Sequence, residues 1–227
     1  MPRPWGSNQN LRVTVSRSGF STTALWSAPP TGSTGDELVV LLHGHGGVEQ
    51  DLTGIFPMLP DRVVGVALRG TVPVGDRWAW YDWYRQPLRV FDRSVQQVLA
   101  WVDEVWSDNQ PVGLLGFSQG GALALELLRH EPLRFAYAGQ ICGFRMPGRR
   151  TDSVELQRRH PPTFSAVGGR DDVIARAESE EMTDWLRRHT AVSEHSYPHL
   201  GHEITDEVLE DAVAFITNRR SGSVATR

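Results

Sequence analysis

A serine between glycines, Ser118 in Gly116-Phe-Ser-Gln-Gly120, has the residue pattern of a catalytic nucleophile. A hydroxyl is a weak nucleophile at neutral pH, so it requires a general base within hydrogen-bond distance and a third group that orients this base. Small flanking residues allow the two arms of a sharp strand-to-helix turn to approach closely, and such a turn exposes the serine hydroxyl. A tight turn whose serine caps the following helix is the structural alternative.

The general base is expected among the eight histidines, because an imidazole takes up and releases a proton near neutral pH. His202 lies after the last predicted strand and before a helix predicted to start at Thr205, where a loop can carry the ring over Ser118. His199 is the nearest alternative, but it precedes Gly201, which lets the loop turn. We therefore predict His202 as the base.

The orienting carboxylate should follow a strand between the serine and the histidine, since hydrolases with this kind of nucleophile turn carry the three groups in the order serine, acid, histidine. Asp171 and Asp172 are adjacent candidates in Val167-Gly-Gly-Arg-Asp-Asp-Val-Ile174. Spacing alone does not choose between them.

Two backbone N–H groups are expected to bind the negative charge that acyl transfer develops on the carbonyl oxygen. One belongs to Gln119, the residue after the serine and just before a helix from Gly120, whose dipole favours negative charge. The other is predicted at His45, in the glycine-rich segment Leu41-Leu-His-Gly-His-Gly-Gly47 after an earlier strand. A simple turn is the alternative for this segment.

An aromatic run, Trp78-Ala-Trp-Tyr-Asp-Trp-Tyr84, supplies candidates for the substrate pocket. We expect it in a loop beside the site, where Trp78, Trp80 and Tyr81 line the acyl or leaving group. Plain packing in the core is an equally good interpretation of aromatic side chains.

The elements that position these residues follow from the hydrophobic pattern. Short apolar runs alternate with helical periodicity from Leu38 onward, which is typical of parallel strands buried on both faces. The predicted strands are 38–44, 63–68, 112–118, 135–143, 162–169 and 191–198, the predicted helices are 91–106, 122–128, 175–186 and 205–216, and an antiparallel pair is predicted at 11–16 and 22–27. This order indicates an α/β fold with a mostly parallel sheet, and the motifs above then meet at the carboxyl ends of the strands.

Length and composition restrict the classes of protein. The chain has 227 residues, with 40% hydrophobic and 22% charged residues, which suits one domain over 1–227 with loose ends at 1–10 and 221–227. A net charge of −4 disfavours nucleic-acid partners. The single cysteine, Cys142, excludes an internal disulfide and a cysteine-based metal cluster. Neither a signal peptide nor a membrane span is predicted, which favours the cytoplasm.

These motifs resemble the α/β-hydrolase superfamily and, within it, the phospholipase/carboxylesterase group that includes acyl-protein thioesterases. The likeness runs from Leu38 to Ile216. Its motifs are the following: Leu42-His-Gly-His-Gly46 is similar to L-H-G-x-G, Gly116 to Gly121 is identical to G-F-S-Q-G-G, Trp80-Tyr-Asp82 is similar to W-F-D, Gly168 to Ile174 matches G-x-x-D-x-V-V, and Gly201-His202 matches G-H.

The resemblance implies an α/β-hydrolase fold and a serine esterase or thioesterase without a cofactor, acting on a small-molecule ester. It also implies that Asp171 is the triad acid and that Asp172, where the family usually has proline, caps the next helix. The oligomeric state stays open between monomer and homodimer.

Three departures from the family pattern bear on the substrate. His45 stands where an apolar residue is common, which argues against a long-chain lipid substrate. Cys142 precedes Gly143 where Ser-Gly is frequent, and we expect a small buried residue rather than a reactive thiol. The arginine-rich segment 144–162 forms a surface loop or a short lid.

Three other functions compete with the esterase. They are a peptidase on the same scaffold, a binding protein without catalysis, and a metal site built from His43, His45, His199 and His202. No nearby carboxylate completes the metal site.

Overall fold

The computed structural model describes residues 11–16, 21–29, 36–82, 87–106, 109–146 and 153–222. The strands of this part are β1 Leu11–Ser16, β2 Ser21–Trp26, β3 Glu37–Leu42, β4 Val63–Leu68, β5 Val72–Val74, β6 Arg77–Ala79, β7 Val112–Phe117, β8 Tyr137–Ile141, β9 Pro162–Gly168 and β10 Ala191–Tyr197. Its helices are α1 Pro87–Val105, α2 Gln119–His130, α3 Val154–Arg159, α4 Arg176–His189 and α5 Asp206–Gly222, with a short 3-10 helix at Thr53–Met58.

A mostly parallel sheet organises the chain, in the order β1-β2-β4-β3-β7-β8-β9-β10. Strands β1 and β2 pair antiparallel with each other, and β2 pairs antiparallel with β4. The remaining neighbours in this sheet, β4-β3-β7-β8-β9-β10, all pair parallel. The predicted strands and the antiparallel N-terminal pair are thus confirmed. The carboxyl ends of the parallel strands share one edge of the sheet, where polar motifs follow β3, β7, β9 and β10.

The two faces of the sheet bury separate clusters of apolar side chains. On β3, Leu38, Val40 and Leu42 point to one face and Val39 and Leu41 to the other, because successive side chains of a strand alternate. The first face packs against residues of α1, α2, α3 and α4, and the second against the 3-10 helix and α5. Helices therefore cover both faces, as expected.

Several element boundaries differ from the sequence predictions, and α1, for example, begins at Pro87 instead of residue 91. Helix α2 begins at Gln119, directly after the serine, rather than at residue 122. The prediction missed its first turn because the two glycines there contribute nothing to a hydrophobic periodicity. Helix α5 continues to Gly222, into the segment expected as a loose tail. The other predicted loose end, 1–10, and residues 223–227 lie outside the described residues. None of the described helices has the length and apolar character needed to cross a bilayer.

A short hairpin of β5 and β6 was not predicted, since strands of three residues carry little periodicity. It places Trp78 in β6 rather than in a loop, and an isolated bridge pairs Trp78 with Gly47. The hairpin thereby lies against the glycine-rich segment after β3.

The turn between β7 and α2 requires very close contact between backbones. Ser118 has φ 51° and ψ −116°, a conformation that L-residues rarely adopt. A Cβ on Gly116 would lie 2.1 Å from the Gly120 carbonyl oxygen, and one on Gly120 would lie 2.0 Å from that of Leu42. Helix α2 therefore rests directly on the end of β3.

Replacement of Gly120 by alanine should destabilise the protein by about 3 kcal/mol, because backbone atoms cannot make room for the added methyl group. The matched control is Gly54→Ala, where a Cβ would meet Leu209 Cδ1 at an ordinary 3.5 Å. The free energy of unfolding in denaturant measures both. Equal stability of the two variants would contradict the rigidity of this turn.

Candidate active site

Ser118 occupies the N-cap position of α2, yet its side chain makes no capping hydrogen bond. Its backbone N–H donates to the Ile141 carbonyl (2.8 Å), which ties the turn to β8. Its Oγ lies 2.9 Å from His202 Nε2. The helix-capping alternative is therefore wrong, because the hydroxyl points to the histidine instead of to the helix N–H groups.

His202 connects the serine to a carboxylate. Its Nδ1 lies 2.8 Å from Asp171 Oδ2, and the Asp171 side chain is only 4% exposed. A carboxylate accepts a hydrogen bond at this position, so Nδ1 carries the proton and Nε2 is the acceptor for the serine hydroxyl. The loop after β10 thus places His202, and not the exposed His199, at the serine.

Asp171 is held in its ionised form by several donors. Its Oδ1 accepts the backbone N–H groups of Val173 and Ile174, each at 2.9 Å. Burial acts to raise the pKa of the Asp171 carboxyl, but the bonds from His202 and from these two N–H groups outweigh it and leave the pKa below its ordinary value.

Asp172 is exposed and does not cap the next helix. Helix α4 has its N-cap at Ala175, whose N–H donates to the Glu178 carboxylate (3.2 Å). The prediction of a cap at Asp172 is wrong because the turn after Asp171 extends to residue 175 before the helix starts.

The glycine-rich segment after β3 lies beside the serine, since a Cβ on Gly44 would stand 3.4 Å from the Ser118 Cβ. The buried His43 ring holds this segment. Its Nε2 accepts the Gly70 N–H (2.9 Å), so its Nδ1 carries the proton and donates to the Gly44 carbonyl (2.7 Å). Burial lowers the pKa of His43 below its ordinary value, which keeps the ring neutral.

The orientation of the Gly44 carbonyl decides where the His45 N–H points. Gly44 O also accepts the Gly47 N–H at 3.1 Å. In a planar trans peptide the C=O and the following N–H point in opposite directions, so fixing Gly44 O fixes the His45 N–H. Among the described residues, this N–H has no hydrogen-bond acceptor, and the His45 side chain is exposed.

Gln119 contributes more than its backbone. As the first residue of α2 its N–H has no acceptor within the helix. Its wholly buried side-chain amide makes two hydrogen bonds with the backbone of residues 80 and 81. Oε1 accepts the Trp80 N–H (2.7 Å), and Nε2 donates to the Tyr81 carbonyl (3.0 Å). The sequence carries no local signal for this side-chain role, because the contact spans 39 residues, and our prediction missed it.

The three aromatic pocket candidates separate in the structure. Trp80 and Tyr81 are 1% and 0% exposed and belong to the apolar core, which favours the packing interpretation for both. Trp80 also donates its indole N–H to the His43 carbonyl (2.8 Å). Trp78 is partly exposed, and the Arg69 guanidinium lies 5.1 Å over its ring.

Arg69 connects Trp78 to the segment after β3. Its Nε donates to the fully buried Glu49 carboxylate at 2.7 Å, with a second bond through Nη2. This pairing places a cation against the charge of a buried carboxylate.

Cys142 is buried close to Asp171 and His202. Its Sγ donates weakly to the carbonyls of Gly201 (3.7 Å) and Glu203 (4.0 Å). Burial, together with the Asp171 charge, raises the pKa of the Cys142 thiol to about 12. The thiol is therefore protonated at neutral pH.

Candidate metal ligands are already occupied by other bonds. Within the described residues, Cys142, Asp171 and His202 have ligand atoms that lie within 4.8 Å of one another. Two of these side chains, Asp171 and His202, already bond to each other at 2.8 Å. The four-histidine site considered from the sequence is not assembled, because both ring nitrogens of His43 bond to the backbone.

The segment 144–162 is described only in part, since 147–152 lie outside the described residues. Phe144 and Met146 are buried, and α3 packs against α4 through the buried Leu156. The described part is thus anchored to the core, and the choice between lid and loop stays open for the remainder.

Comparison with known proteins identifies relatives of this chain. The family model described as "Serine hydrolase (FSH1)" matches residues 62–201. The chain is 27% identical over 189 residues to the "Putative hydrolase MhqD" of Bacillus subtilis (strain 168), an alignment that covers 79% of this chain and 92% of that protein.

Solved structures show a similar fold. The carboxylesterase of Bacillus cereus superimposes with a TM-score of 0.75 and 21% identity, covering 87% of this chain and 94% of that one. Acyl-protein thioesterase 2 of Zea mays superimposes with a TM-score of 0.70 and 22% identity, covering 86% and 98%. The fold expected from the sequence is thereby confirmed.

The neutral, buried His43 predicts a pH dependence of stability. Its folded pKa is lowered, so below pH 6.5 the unfolded chain binds a proton that the folded protein does not. Stability should fall with decreasing pH, by at most about 1.4 kcal/mol per pH unit. Asp171, with its lowered pKa, loses its contribution only at more acidic pH.

Denaturant unfolding of the wild type and of His43→Asn between pH 7 and 5 measures this effect. The variant should show the shallower dependence on pH. The matched control is His130→Asn, which removes an exposed histidine and should retain the wild-type slope. Identical slopes for all three proteins would contradict a neutral His43.

Alkylation of Cys142 should be very slow in the folded protein. At pH 7.5 its thiolate fraction is about three orders of magnitude below that of a free cysteine. Mass spectrometry after iodoacetamide treatment measures the reaction at the single cysteine, and protein unfolded in guanidinium is the control. Rapid alkylation of the folded protein would show that the thiol is reactive.

Proposed function

Because the chain belongs to the serine hydrolase (FSH1) family, we propose that it cleaves carboxylic esters or thioesters of small molecules through an acyl-enzyme intermediate. The observation that carries the proposal is the continuous hydrogen-bond chain from Asp171 through His202 to Ser118 at the carboxyl edge of the sheet. Serine catalysis requires these three roles in this geometry.

In the first step Ser118 Oγ attacks the acyl carbonyl carbon, and its proton passes to His202 Nε2. The carbonyl oxygen becomes an oxyanion, which the His45 and Gln119 N–H groups stabilise. The carbon–oxygen or carbon–sulfur bond then breaks, and the leaving alcohol or thiol takes the proton from His202. The acyl group remains as an ester of Ser118.

In the second step water attacks the acyl-enzyme. His202 accepts a proton from the water and returns it to Ser118 Oγ as the acyl bond breaks, which releases the carboxylic acid. During both steps His202 is transiently cationic. The ionised Asp171, with its lowered pKa, stabilises that cation and holds the ring so that Nε2 faces the serine.

The substrate class is supported by the surroundings of the serine and by the relatives. Trp78 is the partly exposed aromatic of the three pocket candidates, and we propose that it contacts the substrate. The structural neighbours include a carboxylesterase and an acyl-protein thioesterase, which favours acyl transfer from an ester or thioester over peptide cleavage. A net charge of −4 favours a small-molecule partner over a nucleic acid.

A fluorophosphonate probe, which reacts with activated serines, tests the proposal. The wild type should be labelled stoichiometrically and Ser118→Ala should not be labelled. The matched control is Ser196→Ala, a change at an exposed serine, which should be labelled like the wild type. Absence of labelling in the wild type would leave the non-catalytic binding protein as the function.

Hydrolysis of p-nitrophenyl esters from two to sixteen carbons, the corresponding thioesters and aminoacyl anilides resolves the substrate class. Turnover of esters or thioesters with slow or absent anilide cleavage is expected. Preferential anilide cleavage would instead support the peptidase alternative.

Substitution of Asp171 by asparagine should lower kcat by up to about 10⁴-fold, because the amide no longer holds the proton of His202 on Nδ1. The matched control is the neighbouring Asp172→Asn, which changes an exposed carboxylate and should retain near wild-type kcat. Steady-state ester hydrolysis compares the two. A large loss at Asp172 with none at Asp171 would overturn the assignment of the acid.

A further inference from the structure

We propose that the side chains of Trp80 and Gln119 are positioning residues, which hold the two oxyanion donors in a fixed relation to each other. The inference rests on the proposed function, because it concerns the N–H groups of His45 and Gln119. Neither side chain touches the reacting atoms. Both act through a chain of hydrogen bonds that runs from one donor to the other.

The chain starts at the residue that supplies one donor. The Gln119 amide accepts the Trp80 backbone N–H at 2.7 Å and donates to the Tyr81 carbonyl at 3.0 Å. With both amide atoms engaged and the side chain 0% exposed, the amide has one orientation. The start of α2 is thereby attached to the segment 80–81.

The Trp80 indole makes the next link. Its Nε1–H donates to the His43 carbonyl at 2.8 Å, and its ring packs against the His43 ring with centroids 5.2 Å apart. The Ser94 hydroxyl donates to the Trp80 carbonyl, which fixes the segment from the side of α1. Trp80 therefore fixes both the backbone and the ring of His43.

His43 completes the connection to the second donor. Its ring donates to the Gly44 carbonyl (2.7 Å), and this carbonyl belongs to the same peptide unit as the His45 N–H. Rotation of that peptide would change the direction of the His45 N–H, the proposed oxyanion donor. Residues 45 and 119 are thus joined by three successive hydrogen bonds and one peptide unit, through residues 80, 43 and 44, although they lie far apart in the sequence.

Other indoles of the core show that this bond is particular to Trp80. Among the described residues, the Nε1 atoms of Trp26, Trp101 and Trp106 are buried without a hydrogen-bond partner. The core therefore tolerates indole N–H groups without acceptors. An indole that makes a 2.8 Å bond to the backbone beside the serine has a task beyond filling space.

Trp80→Phe tests the proposal, since it keeps an aromatic ring and removes the indole N–H. The matched control is Trp101→Phe, which shortens an equally buried indole whose N–H donates to nothing among the described residues. We expect Trp80→Phe to lower kcat about ten- to a hundredfold with KM within about twofold, a smaller loss than removal of a whole oxyanion donor. Trp101→Phe should keep kcat within about twofold.

A trifluoromethyl ketone, which forms an oxyanion when the serine attacks it, separates positioning from packing. Its inhibition constant should rise in Trp80→Phe by about the factor lost in kcat, and should be unchanged in Trp101→Phe. Gln119→Leu, which removes the amide and keeps the size of the side chain, should show the same pattern. It also provides the test if Trp80→Phe does not fold, as judged by its thermal transition.

The outcomes distinguish this inference from the proposed function. If the wild type is not labelled by the fluorophosphonate, the proposed function fails. If the wild type is labelled, but Trp80→Phe and Gln119→Leu match Trp101→Phe in kcat and in ketone affinity, the positioning role is overturned while the esterase remains. Losses in kcat and in ketone affinity at both positions, with KM preserved, support it.

Discussion

The site depends on one backbone constraint, the left-handed turn at Ser118. The turn holds the serine at φ 51°, and the N–H of Ser118 is bonded to the Ile141 carbonyl of β8. Because α2 starts at the next residue and rests on the carbonyl of Leu42, the same turn brings the helix N-terminus and the end of β3 together. A relaxed turn would separate the hydroxyl from the glycine-rich segment, so the backbone strain is balanced by contacts that also assemble the site.

Burial gives the ionisable groups of the site distinct charge states. Asp171 is kept anionic by donors that outweigh its desolvation, His43 is kept neutral by burial, and Cys142 stays protonated. Asp171 therefore places a permanent negative charge next to His202. In the proposed reaction this carboxylate stabilises the cation that forms on His202, and the uncharged N–H groups of His45 and Gln119 are the proposed donors to the oxyanion. The arrangement matches an acyl transfer, in which both charges appear and disappear together.

Much of the fold and the polar groups of the site followed from local sequence pattern. The buried strands were predictable because continuous apolar runs mark strands covered on both faces, and Ser118 and His202 could be chosen because they follow such strands. The choice of Asp171 over its neighbour Asp172 required the family resemblance, because both follow the same strand. The cap at Asp172 was predicted wrongly, because the length of the turn before α4 has no local signature. The β5–β6 hairpin was missed since three-residue strands have no measurable period.

The sequence predictions missed hydrogen-bond partners more than they missed the positions of residues. A glutamine after the serine and a tryptophan in an aromatic run carry no local sign that one bonds the backbone of the other, because that contact spans 39 residues. Yet an amide or an indole N–H next to a turn of fixed geometry has few hydrogen-bond acceptors within reach. Within the described part of the chain, the buried indole N–H groups of Trp26 and Trp101 have no acceptor, so a buried indole does not always form a hydrogen bond. When a polar side chain is buried beside a candidate nucleophile, its role therefore follows best from the backbone peptide groups to which it forms hydrogen bonds. By that reasoning the two proposed roles of the aromatic run are different: Trp80 acts through backbone geometry, and Trp78 through contact with the substrate.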